Sequence, residues 1–135
     1  MTLTDQEIHF LTLEELVEIH HNQVGRMGDQ MGLRHEGVLR ACLATPANKI
    51  GGRYAHQDIY EMAAAYLFHI IDQRPFLRGN QKVAVLACLY FLYLHDIEYT
   101  GTPQDLAQVA RDIAQGRLTK IQIADFLRRN SEQTG

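Results

Sequence analysis

The sequence predicts an all-α fold: one compact six-helix bundle around a buried central helix. Three observations point to it. Apolar residues recur at i, i+3, i+4, i+7 along most of the chain. Thr12, Thr102 and Thr119 each stand one residue ahead of such a stretch, as N-caps do. The run VAVLACLYFLYL at 83–94 is apolar on every side, as in a helix that others surround. A chain of 135 residues, 46% apolar and 21% charged, matches one globular domain large enough to bury a core. The domain spans 1–135, with its core at about 10–128 and a polar C-terminal tail.

Taken in order, the first helix opens with LTLEEL. Thr12 and Glu15 form a capping box, and Leu11 and Leu16 fall at the hydrophobic-staple positions. Its apolar stripe is Leu13, Leu16, Val17, His20, Val24 and Met27, and Gly28 and Gly32 are expected to end it. A short helix follows over 36–45, with Val38, Leu39, Cys42 and Leu43 on one face, and stops at Pro46. NKIGGRYAHQD has hairpin character near 49–55. Helix 58–73 carries the stripe Ile59, Met62, Ala63, Tyr66, Leu67 and Ile70. Helix 80–95 is expected to be the central one. Tyr99 to Gly101 break the chain. Thr102-Pro103 starts a fifth helix, with Leu106, Val109, Ala110 and Ile113 inward and Gly116 at its C′ position. Thr119 caps the sixth, with Ile123, Ala124, Phe126 and Leu127 inward, and RRNSEQTG is expected to fray.

Global charge excludes several function classes. A net charge of −3 does not suit nucleic acid or an anionic membrane surface, so any basic site must be local. The twelve-residue apolar run is too short for a membrane span, which needs about twenty residues. MTLTDQEIHF lacks the basic and apolar regions of a secretory signal. Cys42 and Cys88 both fall in apolar helical patterns and read as buried free thiols. A cytoplasmic location is expected.

Arg74, Arg78 and Lys82 crowd the loop PFLRGNQK just ahead of the apolar helix. First-turn N–H groups of a helix lack intrahelical partners, and the helix dipole adds positive charge there. Gly79 lets a ligand approach the backbone. Arg78, Gly79, Asn80, Gln81 and Lys82 would together hold a phosphate or nucleotide. The same residues also read as a plain helix start, with Asn80 as N-cap and the cations solvated.

RPFLRGNQKVA resembles the signature of the Fic/Doc superfamily, which reads His-x-Phe-x-Asp/Glu-Gly/Ala-Asn-Gly/Lys-Arg. FLTLEELVEIHHNQVGRMG, MGLRHEGVLRACLATP, YEMAAAYLFHIIDQRPF and FLYLHDIEYT resemble the surrounding segments of the Doc (death-on-curing toxin) branch, over about 10–125. The resemblance implies a helical bundle with the motif loop at the start of a central helix and a flap beside it. KIGGRYAHQ falls where that flap lies, which implies a place near the pocket for Arg53 and His56. It also implies transfer of a phosphoryl or nucleotidyl group from ATP or another nucleotide to a protein hydroxyl, with Mg²⁺. A translation factor as target and a partner antitoxin docked in a groove are implied as well.

At two positions the chain departs from that pattern. The family's catalytic His falls on Arg74, which stays protonated and cannot take a proton from a hydroxyl. The metal-binding acid falls on Arg78, which would repel Mg²⁺. Lys82 keeps one cation, and Phe76 is the packing anchor. The Ser/Thr-x-x-x-Glu self-inhibiting element is missing, so an inhibitor would come from another chain. His69, near the end of the preceding helix, reads as a helix-edge histidine with a local hydrogen bond; His56, on the expected flap, could approach the pocket, and no metal-ligand spacing occurs among the other histidines. The expected function is that of a Doc-like pseudoenzyme that binds a phosphate, a nucleotide or a partner such as an antitoxin. The alternatives are a transferase with altered chemistry, in which Arg74 and Lys82 stabilise charge and the acceptor proton passes to water, to His56 or to the substrate, and a purely structural role.

Overall fold

The computed structural model describes residues 7–24 and 32–135, with only the backbone of Val24. Among them are six α-helices: α1 (Leu13–Val24), α2 (Glu36–Ala44), α3 (Ile59–Gln73), α4 (Asn80–Leu94), α5 (Pro103–Ala114) and α6 (Lys120–Arg129). A 3-10 turn (Thr45–Ala47) follows α2. Two antiparallel pairs of strands complete the fold: β1 (Lys49–Ile50) with β2 (Arg53–Tyr54), and β3 (Ile97–Tyr99) with β4 (Ser131–Gln133). The helical architecture agrees with the all-α expectation.

Local chemistry sets the helix ends. The Glu15 amide donates to the Thr12 hydroxyl (3.1 Å) while the Thr12 amide donates to the Glu15 carboxylate (2.9 Å), closing the capping box of α1. Leu11 and Leu16 are both buried behind it. Asp58 caps α3 by accepting from the Glu61 amide (2.8 Å). Thr102 caps α5, and Thr119 forms a second capping box with Gln122 at the start of α6. The end of α5 is a Schellman motif: Gly116 has φ 73, its amide reaches the Ile113 carbonyl (2.9 Å), and the Arg117 amide reaches Asp112 (2.9 Å). The Gly51-Gly52 turn, with φ 58 and 80, is the left-handed pair that a two-residue hairpin requires. Met27 and Gly28, expected in and after the first helix, lie outside the described residues, as does the Val24 side chain.

Two expectations are corrected. The central helix is α3, not α4. Met62, Ala63, Ala64, Ala65, Tyr66, Leu67, Ile70 and Ile71 are all buried, and α3 packs against α2, the 3-10 turn, α4, α5 and α6. The small alanines let neighbours close on α3 from several sides. By contrast α4 buries Val83, Ala84, Ala87, Cys88, Phe91 and Leu92 but leaves Val85, Leu86 and Leu89 only partly covered, and Tyr93 is 71% exposed. An apolar sequence on all sides does not reveal which sides receive a neighbour.

The other correction concerns the C-terminal tail. Arg128 and Arg129 form the last turn of α6, and Ser131–Gln133 pairs with Ile97–Tyr99 in the register Ile97↔Gln133, Tyr99↔Ser131. The Thr134 amide extends the pairing to the Asp96 carbonyl (2.8 Å). Backbone groups make this sheet, so the polar side chains of Ser131, Glu132 and Gln133 carry no pattern that announces it.

Cys42 and Cys88 are buried free thiols, as expected. Burial pushes them up to about 11 and about 12, leaving both unreactive near neutrality. The core's largest fully buried side chain, Tyr66, accepts a hydrogen bond from the Leu11 amide (2.9 Å) through its hydroxyl. Tyr66→Phe strands that buried N–H. We expect unfolding free energy to fall by about 1–3 kcal/mol, read as a lower urea midpoint with an unchanged slope.

Candidate functional site

The loop from Arg74 to Gly79 joins the end of α3 to the start of α4, with Pro75 and Phe76 buried between them. Its ends are sharp. Arg74 closes α3 in the left-handed region (φ 53), with its amide on the Ile70 carbonyl (3.0 Å). Gly79 opens α4 in the same region (φ 77) without a side-chain cap. Gly79 is therefore the N-cap, and Asn80, read as a possible N-cap, is already helical. The left-handed geometry costs a non-glycine residue roughly 1–2 kcal/mol. Surrounding contacts must hold Arg74 there.

Those contacts come from three directions. Asn80 clamps the loop from inside: its Oδ1 accepts from the Phe76 amide (3.0 Å) and its Nδ2 donates to the Phe76 carbonyl (2.8 Å). Residues 32–35 hold the outer edge: the Arg34 amide donates to Pro75 O (2.7 Å), and the Leu77 amide donates to Gly32 O (2.9 Å). From α1, the His20 ring stacks on Phe76 at 3.8 Å between centroids and 9° between planes. His20 Nε2–H donates to the Arg78 carbonyl (3.1 Å). Burial, against the Arg78 carbonyl and assisted by His21, holds the His20 pKa below its usual value. The ring is thus neutral near pH 7, with its proton on Nε2.

Above the loop lies a cleft of about 810 Å³. Arg74, Arg78 and Lys82 bring three cations to it, and Gly79, Asn80 and Gln81 bring the first turn of α4. Asp72 is the one carboxylate among the described lining residues, and it accepts from Gln73 Nε2 (2.8 Å). The balance is cationic. With the Asn80 side chain committed to Phe76, only its backbone amide is left for a ligand. Phe76 is buried and serves the loop's shape. The sequence-predicted residues Arg74, Arg78, Gly79, Asn80, Gln81 and Lys82 therefore share one cleft.

The hairpin residues go elsewhere. Arg53 is exposed on β2, and His56 lines a second cleft of about 490 Å³ with Lys49, Ile50, Lys120 and Ile121. Neither is among the described residues lining the loop cleft. His56 Nε2 lies 3.2 Å from Lys120 Nζ, and His69 Nε2 lies 3.1 Å from the same atom. Both imidazoles are thus engaged with a lysine rather than aimed at the loop.

What the loop cleft can do follows from its donor set. Guanidinium and ammonium groups attract anions and offer no lone pair to a proton or a metal. Mg²⁺ needs oxygen ligands, and one carboxylate among three cations does not supply them. The residues do not fit this ion, and no cluster of three metal-ligating side chains occurs among the described residues.

Sequence reasoning missed His20 as the brace of the loop and Lys120 as the partner of two histidines. A signal for His20 existed: an imidazole in the buried stripe of the first helix needs a partner. Lys120 gave none, because a lysine at a helix start is ordinary.

The sequence profile of the Fic/DOC family matches residues 10–92, from just ahead of α1 to near the end of α4, with hairpin and loop inside the match. No curated protein sequence matches the chain.

If the Asn80 clamp shapes the loop, Asn80→Ala should leave the Phe76 amide and carbonyl without their partners. We expect a loss of about 1–3 kcal/mol in stability and faster hydrogen exchange at the Phe76 amide, followed by NMR.

Proposed function

The chain belongs to the Fic/DOC family, and on that premise we propose that it is a Doc-like binding protein, impaired in the family's transfer chemistry. It holds a phosphate or nucleotide over the first turn of α4. The observation that carries this reading is the cationic cleft, with Arg74 and Arg78 standing where the resemblance expects a base and a metal-binding acid. A positioned general base contributes ~10²–10⁴ in rate. Without it, and without oxygen ligands for magnesium, the family's ordinary route is closed. The anion cradle persists because backbone amides and cations make it, and neither depends on the lost groups.

A partner peptide is the second half of the proposal. The uncovered flank of α4 (Val85, Leu86 and Leu89) faces Leu106 and Ala107 of α5 across an apolar groove of about 580 Å³. Gln81 and Lys82 border both this groove and the loop cleft. An amphipathic helix of an antitoxin-like protein would bury the groove's apolar wall and overhang the cleft.

Two measurements test the binding half. ATP or inorganic phosphate should raise the melting temperature, because a ligand of the folded state adds about 2.7 kcal/mol at one hundred times its Kd. Lys82→Ala should reduce the rise. No rise with either ligand removes the phosphate reading. A transfer assay tests the impairment. Labelled ATP should leave candidate acceptors unmodified by the natural chain, whereas Arg74→His with Arg78→Asp should confer Mg²⁺-dependent labelling or growth arrest. Strong labelling by the natural chain, lost in Arg74→Ala, would replace the binding protein with an active transferase.

A further inference from the structure

Lys120 sits in the first turn of α6, between two imidazoles from different parts of the chain. His56 comes from the segment between β2 and α3, and His69 from the C-terminal half of α3. Their Nε2 atoms lie 3.2 and 3.1 Å from Lys120 Nζ. An ammonium group has donors only, so each imidazole must present its Nε2 lone pair. Both rings are then neutral and carry their proton on Nδ1. His56 Nδ1, the donor left over, is buried without a hydrogen-bond partner. The cluster holds together in this single protonation state. A proton on either ring removes an acceptor and sets a second cation about 3 Å from the first.

The surrounding charges relieve this only in part. Lys49 of β1 adds positive charge to the same cleft, and Glu61 of α3 adds a carboxylate. Asp72, also on α3, is the carboxylate that favours a charged His69. From α2, Cys42 Sγ–H donates to the His69 carbonyl (3.4 Å) and brings no charge. His56 lies two residues beyond Tyr54, the last residue of the hairpin, so its contact with Lys120 seats the hairpin against α3 and α6. Ile50 and Ile121 flank the cleft at 76% and 72% exposure.

We propose that His56, Lys120 and His69 form an acid-released latch, which closes the β1–β2 hairpin onto α3 and α6 and opens the cleft between them when an imidazole takes a proton. The latch is independent of whether the loop cleft binds a nucleotide. Burial, reinforced by Lys120 and then His56 and opposed by Asp72, pushes His69 down to about 4. Burial and Lys120 also lower His56. Both rings return towards 6.5 when the latch is open. The open form therefore binds more protons between those values. Closure is complete above pH 6.5 and is lost as pH falls towards 4.

Hydrogen exchange of the whole chain, expressed as protection factors and compared at pH 7 and pH 4.5, tests the latch. Protection of residues 48–57 should drop ~10–100-fold while circular dichroism shows the helices intact. His56→Gln with His69→Gln keeps two acceptors for Lys120 without titration, so its hairpin protection should not change with pH. In Lys120→Met, the His69 pKa read by NMR should rise towards 6.5 and the hairpin should exchange fast at both pH values. Protection that stays constant in the natural chain, or that drops equally in the double glutamine variant, would overturn the latch. So would loss of the hairpin only together with the whole fold, or a His69 pKa unmoved in Lys120→Met.

Discussion

Ala63, Ala64 and Ala65 lie in the middle of α3, fully buried, and their small side chains allow α2, the 3-10 turn, α4, α5 and α6 to close on one helix. Interiors pack near the density of organic crystals, so a methyl-sized surface brings neighbouring backbones close and leaves little freedom. The rest of the molecule is arranged from that helix. Its N-terminus is tied to α6 by the Asp58–Arg128 ion pair at 2.9 Å, its outer face carries His69 to Lys120, and its last residue leads into the cationic loop. A rigid α3 gives both clefts a fixed reference.

The shape of the loop rests on groups other than the side chains at positions 74 and 78. Its shape depends on Asn80, on His20 stacked over Phe76, and on backbone bonds to residues 32–35. None of these needs a base or a metal ligand at positions 74 and 78. Side chains there can change from proton acceptor to cation while the amides at the start of α4 keep their direction. The bracing of the loop therefore says nothing about its reactivity, and a family fold alone does not establish an activity.

Charge is distributed in a way that the net value of −3 conceals. Arg74, Arg78 and Lys82 gather at the loop cleft, and Lys49 and Lys120 gather at the hairpin cleft. Local fields at the two places differ in origin. The first adds the α4 dipole to its cations. At the second, burial and Lys120 suppress the charges of His56 and His69.

Much of the fold was legible because its signals are local. A capping hydroxyl acts three residues along the chain, as at Thr12, Thr102 and Thr119. A Gly-Gly pair sets its own left-handed turn, and a buried stripe repeats within one helix. The crowding of Arg74, Arg78 and Lys82 before an apolar helix was equally visible. What stayed hidden involves partners far apart in the chain: His20 on Arg78, Lys120 on His56 and His69, and Ser131–Gln133 on Ile97–Tyr99. By itself the sequence determined six helices, the threonine caps of three of them, the hairpin and the cationic character of the loop. Tertiary structure alone decided that α3 and not α4 is enclosed, that the tail is a strand, and which histidine meets which partner. Caps and periodicity depend on neighbours a few bonds away, whereas enclosure and pairing depend on how whole elements meet in space.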